Sequence, residues 1–280
     1  MTKISILGCG WLGLPLAKAL LDKGFQVNGS TTTVAKLSIL KDQGINPFLL
    51  DIPLSIDQEN LESTHFSDSI VSFLKGSETL IIDIPPKLRG DSASAIEKTF
   101  VKKIATVIPF IEKSTVQNVI FVSSTSVYGE GQLIVTELTQ PQPDTESGKQ
   151  LIESEQLLQN DSNFKTTSIR FGGLIGNDRQ PGKYLAGREN LENPDAPVNL
   201  IHQEDCIGII LKIIEMNSWN ETFNAVSSFH PSRENYYTQK ASEMNLALPQ
   251  FDHSKKSTGK LIKNDKIINL LKYTFTKPNL

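Results

Sequence analysis

The chain has 280 residues, of which 28 are Lys or Arg and 31 are Asp or Glu, for a formal net charge of -3. That length suits one large domain or a domain with a smaller appendage, and 38% apolar with 21% charged residues is an ordinary globular mixture that excludes a disordered or fibrous chain. The near-neutral balance argues against a broad nucleic-acid surface but leaves room for a local anion site. Two cysteines, Cys9 and Cys206, form no disulfide framework, and four scattered histidines have no paired ligand spacing, so no metal site is expected.

The elements alternate from the start. Ile4–Leu7 is a short apolar run ending in Gly8, a buried-strand pattern. A helix is expected over Trp11–Lys23, with Leu12, Leu16, Ala19 and Leu20 on one face and Gly24 as its stop. Lys3 before this apolar stretch and Ala17-Lys18-Ala19 within it imitate a secretion signal. Lys18 spoils the cleavage motif, Gly and Pro interrupt the stretch, and no other segment reaches the roughly 18 apolar residues of a membrane span, so a cytoplasmic location without membrane contact is expected. Next come a strand at Phe25–Asn28, a helix at Val34–Gln43, a strand at Phe48–Asp51 and a strand at Leu80–Ile84, stopped by Pro85-Pro86. Ser94–Glu97 has the capping-box pattern before a helix carrying Phe100, Ile104, Val107 and Ile111, and Val119–Val122 is a fifth strand. Later strands are expected at Thr167–Phe171, Val198–His202 and Thr222–Val226, with an apolar helix at Cys206–Met216.

Strands that are apolar throughout, separated by helices, predict an α/β fold: a Rossmann-type, doubly wound parallel sheet covered on both faces. The rhythm changes after Arg170. We therefore expect a dinucleotide-binding domain over residues 1–170, a small C-terminal substrate lobe with returning elements over 171–280, and late strands between 198 and 226 rejoining the main sheet.

Gly8-Cys9-Gly10-Trp11-Leu12-Gly13 is a G-x-G-x-x-G loop that follows a strand and opens a helix, the context that gives the pattern its meaning. Gly8 permits the turn, Gly10 lets the backbone approach a pyrophosphate, and Gly13 lets helix and strand pack closely. Trp11 and Leu12 fall at the helix start, where free N–H groups favour an anion. A glycine turn that binds nothing is the alternative. An NAD site usually carries an acid on the second strand to hold the ribose 2′-hydroxyl. Here the chain reads Asn28-Gly29-Ser30-Thr31-Thr32-Thr33 with Lys36 beyond, which favours NADP over NAD, unless these hydroxyls only cap the second helix. Asp51 is placed to reach the adenine edge or to cap its strand.

Phe121-Val122-Ser123-Ser124-Thr125-Ser126-Val127-Tyr128-Gly129 resembles the "SS-x-x-VYG" stretch of the extended short-chain dehydrogenase/reductases, the NAD-dependent epimerase/dehydratase superfamily. Arg170–Gly176 resembles that group's sixth-strand motif, and Val198–Asp205 its "N-x-I-H-x-x-D" segment. The resemblance implies that Ser124 orients a substrate oxygen, that Ser123 borders the cofactor, and that Lys149 is the lysine that follows the acid/base tyrosine by four. The residue four before Lys149 is Thr145. An aliphatic hydroxyl is a far poorer proton relay than a phenol with a reference pKa near ~10. The glycine spacing departs too. Both departures are similar to the atypical branch of the superfamily, the YeeZ-like group, which implies that Ile84 and Pro85 border the cofactor rather than only ending a strand. Tyr128 is a candidate replacement acid, with a packed structural tyrosine as the alternative. Arg179, Arg188 and Arg233 are candidate anion clamps or solvated surface.

Two functions follow. One is an NAD(P)-binding protein like the sugar-nucleotide epimerases, dehydratases and reductases, acting on a small molecule such as a nucleotide sugar or polyol. The other is a non-catalytic NADP(H)-binding sensor or scaffold.

Overall fold

The computed structural model describes residues 1–55, 65–86, 88 and 97–279. Of the expected capping box, Ser94, Ala95 and Ile96 lie outside the described residues. A seven-stranded parallel sheet has the order β10-β7-β5-β4-β1-β2-β3, so the α/β expectation holds. Packing divides the chain into two compact units.

The first unit comprises Met1–Ser124, Thr145–Ile169 and Ile213–Thr222. It contains β1 (Lys3–Leu7), α1 (Gly13–Asp22), β2 (Gln26–Thr31), α2 (Lys36–Asp42), β3 (Asn46–Leu49), α3 (His65–Leu74) and β4 (Thr79–Ile82). These are followed by α4 (Thr99–Glu112), β5 (Asn118–Ser124), α5 (Glu146–Gln159) and the body of β7 (Lys165–Phe171). Ile4, Ile6, Leu80, Ile81, Ile82, Val119, Ile120 and Phe121 are fully buried, as central strands covered on both faces require. The strand order explains that cover. From β1 the chain steps outward to β2 and β3, then returns to the other side of β1 for β4 and β5. Parallel crossovers are right-handed, so the reversal sends α1 and α2 to one face and α4 and α5 to the other.

Two boundaries differ from expectation with a physical cause. β2 runs on to Thr31, because Asn28 through Thr31 pair in register with Asn46 through Leu49 of β3. α2 then begins at Lys36 with Ala35 as its N-cap and no side-chain cap bond, so the hydroxyls at 30–33 do not cap it.

The second unit comprises Thr125–Asp144, Arg170–Lys212 and Phe223–Leu280. It contains β6 (Ile134–Val135), β8 (Gly173–Ile175), α6 (Gly182–Leu185), β9 (Leu200–His202) and most of α7 (Gln203–Met216). β10 (Thr222–Ala225), α8 (Arg233–Glu243), β11 (Leu261–Ile262) and α9 (Asp265–Leu270) complete it. Of the late strands expected to return to the large sheet, β10 lies at its edge, whereas β9 pairs with β8 in a separate two-stranded sheet. A small cluster of Ile175, Val198, Leu200 and Tyr236 is buried here. Among the described residues, no helix is long and apolar enough to cross a membrane, and no group of His, Cys, Asp and Glu is arranged to hold a metal ion.

Candidate functional site

In the first unit, Gly8 leaves the C-terminal end of β1 and Asp83 leaves that of β4, side by side where the strand order reverses. Crevices of open α/β sheets form at this point. The three loop glycines are there for different reasons. Gly8 has φ +109°, and a Cβ on it would fall on the Asp83 carbonyl oxygen. A Cβ on Gly13 would fall on the Gly8 carbonyl oxygen. Both are demanded by the protein's own packing. Gly10 is not: its φ is not positive, and nothing lies within 4 Å of where its Cβ would stand.

Ser30 anchors the loop from the neighbouring strand. Its Oγ accepts the Gly8 N–H at 2.9 Å, and its carbonyl accepts the Cys9 N–H at 2.8 Å. Thr31 Oγ1 accepts the Thr33 N–H at 3.1 Å. Ser30 and Thr31 are buried strand residues, whereas Thr32 and Thr33 are exposed.

A cavity of about 770 Å³ opens over the loop, within the size range of ligand sites. Gly8, Gly10, Ser30, Thr31, Thr32, Asp51, Ile84 and Pro85 line it, as do Thr33, Lys36, Asp83 and Lys103. Trp11, Leu12, Gly13 and Ser123 lie outside that lining. Asp51 stands just past β3, with its carboxylate 3.9 Å from the Lys103 ammonium of α4. Asp83 has no counterpart in the expected site. Burial pushes its carboxyl up to about 8, opposed by the Gly13 N–H donated to it. Burial also pushes the Cys9 thiol up to about 12, so Cys9 packs as a neutral apolar group. The open side of Gly10, at the start of the ten-residue helix α1, is a cradle that a Cβ would fill. It suits the pyrophosphate of a dinucleotide, for which a helix start supplies donors.

The positions implied by the resemblance fall elsewhere. Ser124 ends β5, half-buried. Ser123 donates its hydroxyl to the buried Glu155 carboxylate at 2.5 Å. Thr145 precedes α5 in extended conformation (φ -110°, ψ 151°), and its Oγ1 accepts the Gly148 N–H at 3.1 Å. Thr145 is thus an N-cap. Lys149 is exposed, 3.7 Å from the Glu146 carboxylate.

Within the second unit, Tyr128 is buried. Its hydroxyl accepts from Arg170 Nη1 at 2.5 Å and faces Asn224 Oδ1 at 2.9 Å and the Thr136 carbonyl at 3.2 Å. Burial pushes this phenol above its ordinary value, against the pull of Arg170. Such enclosure fits the alternative of a packed structural tyrosine. Glu137 accepts the Asn224 N–H at 2.9 Å and belongs to the same cluster. Arg233 donates to the Glu192 carbonyl and lies over the Phe251 ring. The glycine loop was legible from spacing, but Asp83 and the anchoring role of Ser30 carried no local signal.

No family model matches the chain. Protein YeeZ of Escherichia coli strain K12 is 32% identical over 282 residues, a match covering 100% of this chain and 97% of YeeZ. The chain belongs to the YeeZ family. Solved structures show how widely the fold of this YeeZ-family chain is shared. UDP-glucuronic acid 4-epimerase from Bacillus cereus, in complex with NAD, superposes with a TM-score of 0.77 at 18% identity, covering 98% of this chain and 94% of that one. A short-chain dehydrogenase/reductase superfamily protein from Agrobacterium tumefaciens with bound NAD also gives 0.77, at 16% identity over 98% and 92% of the two chains. This chain therefore has the Rossmann-type fold of these structures.

Proposed function

We propose that this YeeZ-family chain binds a nicotinamide dinucleotide, NADP(H) in preference to NAD(H), in the cavity over the glycine loop, and acts on a small molecule of the nucleotide-sugar or polyol class. Gly10 carries this reading. It is a glycine that neither backbone geometry nor packing requires, placed on the wall of a large cavity at a helix start. Close approach of a ligand is what its missing side chain allows. Neighbours of the same fold are described with NAD, and one is named for a UDP-sugar substrate.

The preference for NADP rests on Thr32, Thr33 and Lys36, which line the cavity beyond β2 with no carboxylate between Gly24 and Lys41 to repel a 2′-phosphate. Ser30 contributes by holding the loop, not by meeting the ribose. A bound nicotinamide supplies a hydride donor or acceptor. Ser124 orients a substrate oxygen, and Lys149 is the cation assigned to the cofactor side. Fluorescence titration tests the reading: NADPH is expected to bind more tightly than NADH. A preference for NADH would overturn the NADP assignment, and binding of neither would overturn the site.

One observation favours a second reading, a non-catalytic NADP(H)-binding sensor or scaffold: Thr145 is spent as an N-cap where a relay tyrosine would stand. Replacing Thr145→Tyr separates the two. Loss of the cap is expected to lower stability by about 1 kcal/mol, read as a shifted denaturation midpoint with an unchanged slope. Under the enzymatic reading, turnover rises on a panel of nucleotide sugars and polyols. Loss of the cap with no turnover and intact dinucleotide binding supports the second reading.

A further inference from the structure

We infer that Asp83 sets the charge of the phosphate cradle, so that a dinucleotide binds only to the form in which Asp83 is protonated and its binding takes up a proton. The inference rests on the cofactor reading above and deepens it.

The geometry comes first. Asp83 is the residue immediately after β4, on the cavity wall beside the glycine loop. Its carboxyl accepts the Gly13 N–H, the first residue of α1, and a Cβ on Gly13 would stand 3.0 Å from Asp83 Oδ2. An acid therefore occupies the helix end that a pyrophosphate also uses. A carboxylate there and a diphosphate beside it would be two anions in one site, and like charges at close range disfavour joint ionisation.

The surroundings do little to neutralise it. From the loop after β1, Cys9 faces Asp83 with a thiol held neutral by burial. From β2, the residue at the loop is Ser30, which does not titrate in this range. Among the described residues, the charged groups on the remaining walls are Lys36 of α2, Lys103 of α4 and Asp51 after β3. Lys103 is already turned to Asp51, and Lys36 is exposed at the mouth of the cavity. Burial is the principal influence on the carboxyl and pushes it up to about 8.

The sign follows. A bound diphosphate raises the carboxyl further, so the complex holds the proton where the free protein has lost it. Affinity is therefore full below about 8 and falls as pH rises through it. With NAD(H), which lacks a 2′-phosphate that titrates nearby, the affinity of the full-length protein is expected to fall by about tenfold from pH 7 to pH 9. In Asp83→Asn that slope disappears, because the amide carries no charge at either pH.

Calorimetric titration of NADH into the wild-type protein at pH 8, in two buffers of different ionisation enthalpy, reads the proton directly and does not depend on the variant folding. An uptake near half a proton per dinucleotide is expected. No uptake, or a pH slope retained unchanged in Asp83→Asn, overturns the inference. Dinucleotide binding that is independent of pH overturns the role of Asp83 alone. Failure to bind either dinucleotide at pH 6.5 overturns the cofactor reading and this one with it.

Discussion

Gly13→Ala is expected to abolish the folded state, while Gly10→Ala leaves it standing and removes dinucleotide binding. The two glycines share one loop, so their different fates isolate what each is for. At Gly13 the added carbon would coincide with the Gly8 carbonyl oxygen, and Asp83 Oδ2 lies 3.0 Å away on the same side. The oxygen is main chain at the end of β1, in the middle of the sheet, and cannot rotate aside as a flexible side chain would. Relief requires moving α1 off the sheet, uncovering Leu16, Ala17 and Leu20, which are fully buried. Overpacking ordinarily costs about 1–3 kcal/mol, and a clash with fixed backbone lies beyond that range. A loss of more than about 4 kcal/mol is expected, seen as a collapse of the denaturation midpoint or as insoluble protein. At Gly10 the added carbon meets nothing, and stability should stay within about 0.5 kcal/mol or rise slightly, because alanine restricts the unfolded chain. Affinity for NADPH should fall by at least about tenfold. Intact binding in Gly10→Ala would remove the central support for the cofactor site.

Asp205→Ala is expected to cost about 3 kcal/mol or more and to free the C-terminal segment of the second unit. Asp205, in the first turn of α7, is fully buried. Its Oδ1 accepts from the Tyr273 hydroxyl at 2.9 Å, the Thr276 N–H at 2.7 Å and the Thr276 hydroxyl at 2.9 Å, while Oδ2 accepts from the Lys277 N–H at 3.1 Å. One carboxylate thus satisfies four donors on a segment that contributes little apolar burial of its own. Truncation to alanine leaves those donors without their acceptor, and a hydrogen bond to a charged group contributes about 1.5–3 kcal/mol. Urea denaturation measures the loss. Limited proteolysis measures the release: cleavage after Lys272, which precedes Tyr273, should be much faster in the variant. Asp205→Asn keeps one acceptor oxygen and should fall between the two. Equal stability and equal protease resistance in Asp205→Ala would refute the role.

The sheet was readable because its signals are local. β4 and β5 carry runs of consecutive apolar residues and β1 one interrupted only by Ser5, and a strand covered on both faces uses such runs. α3 is not among the predicted elements, since serine at 67, 69 and 72 dilutes its apolar face, and one of these, Ser67, is buried. The resemblance implied that Thr145 stands where a tyrosine would, but its position at the start of α5 and its capping bond to Gly148 account for a threonine there as well as a lost tyrosine does. Tyr128 illustrates the opposite difficulty. Its position after β5 suggested chemistry, whereas Arg170 and Asn224, distant in the chain, determine that its hydroxyl is enclosed.

By itself, the amino-acid order determined the α/β layering, the glycine loop between β1 and α1, and the absence of an acid after β2, because each is a property of neighbouring residues. Only the tertiary structure decided which glycine serves packing and which leaves space for a ligand. It alone decided that Ser30 anchors the loop, that Asp83 sits at the helix start, and that Asp205 holds the C-terminal segment. These depend on burial and on donors brought from remote parts of the chain, and the free energy of a carboxyl or a hydroxyl is set by what surrounds it in space.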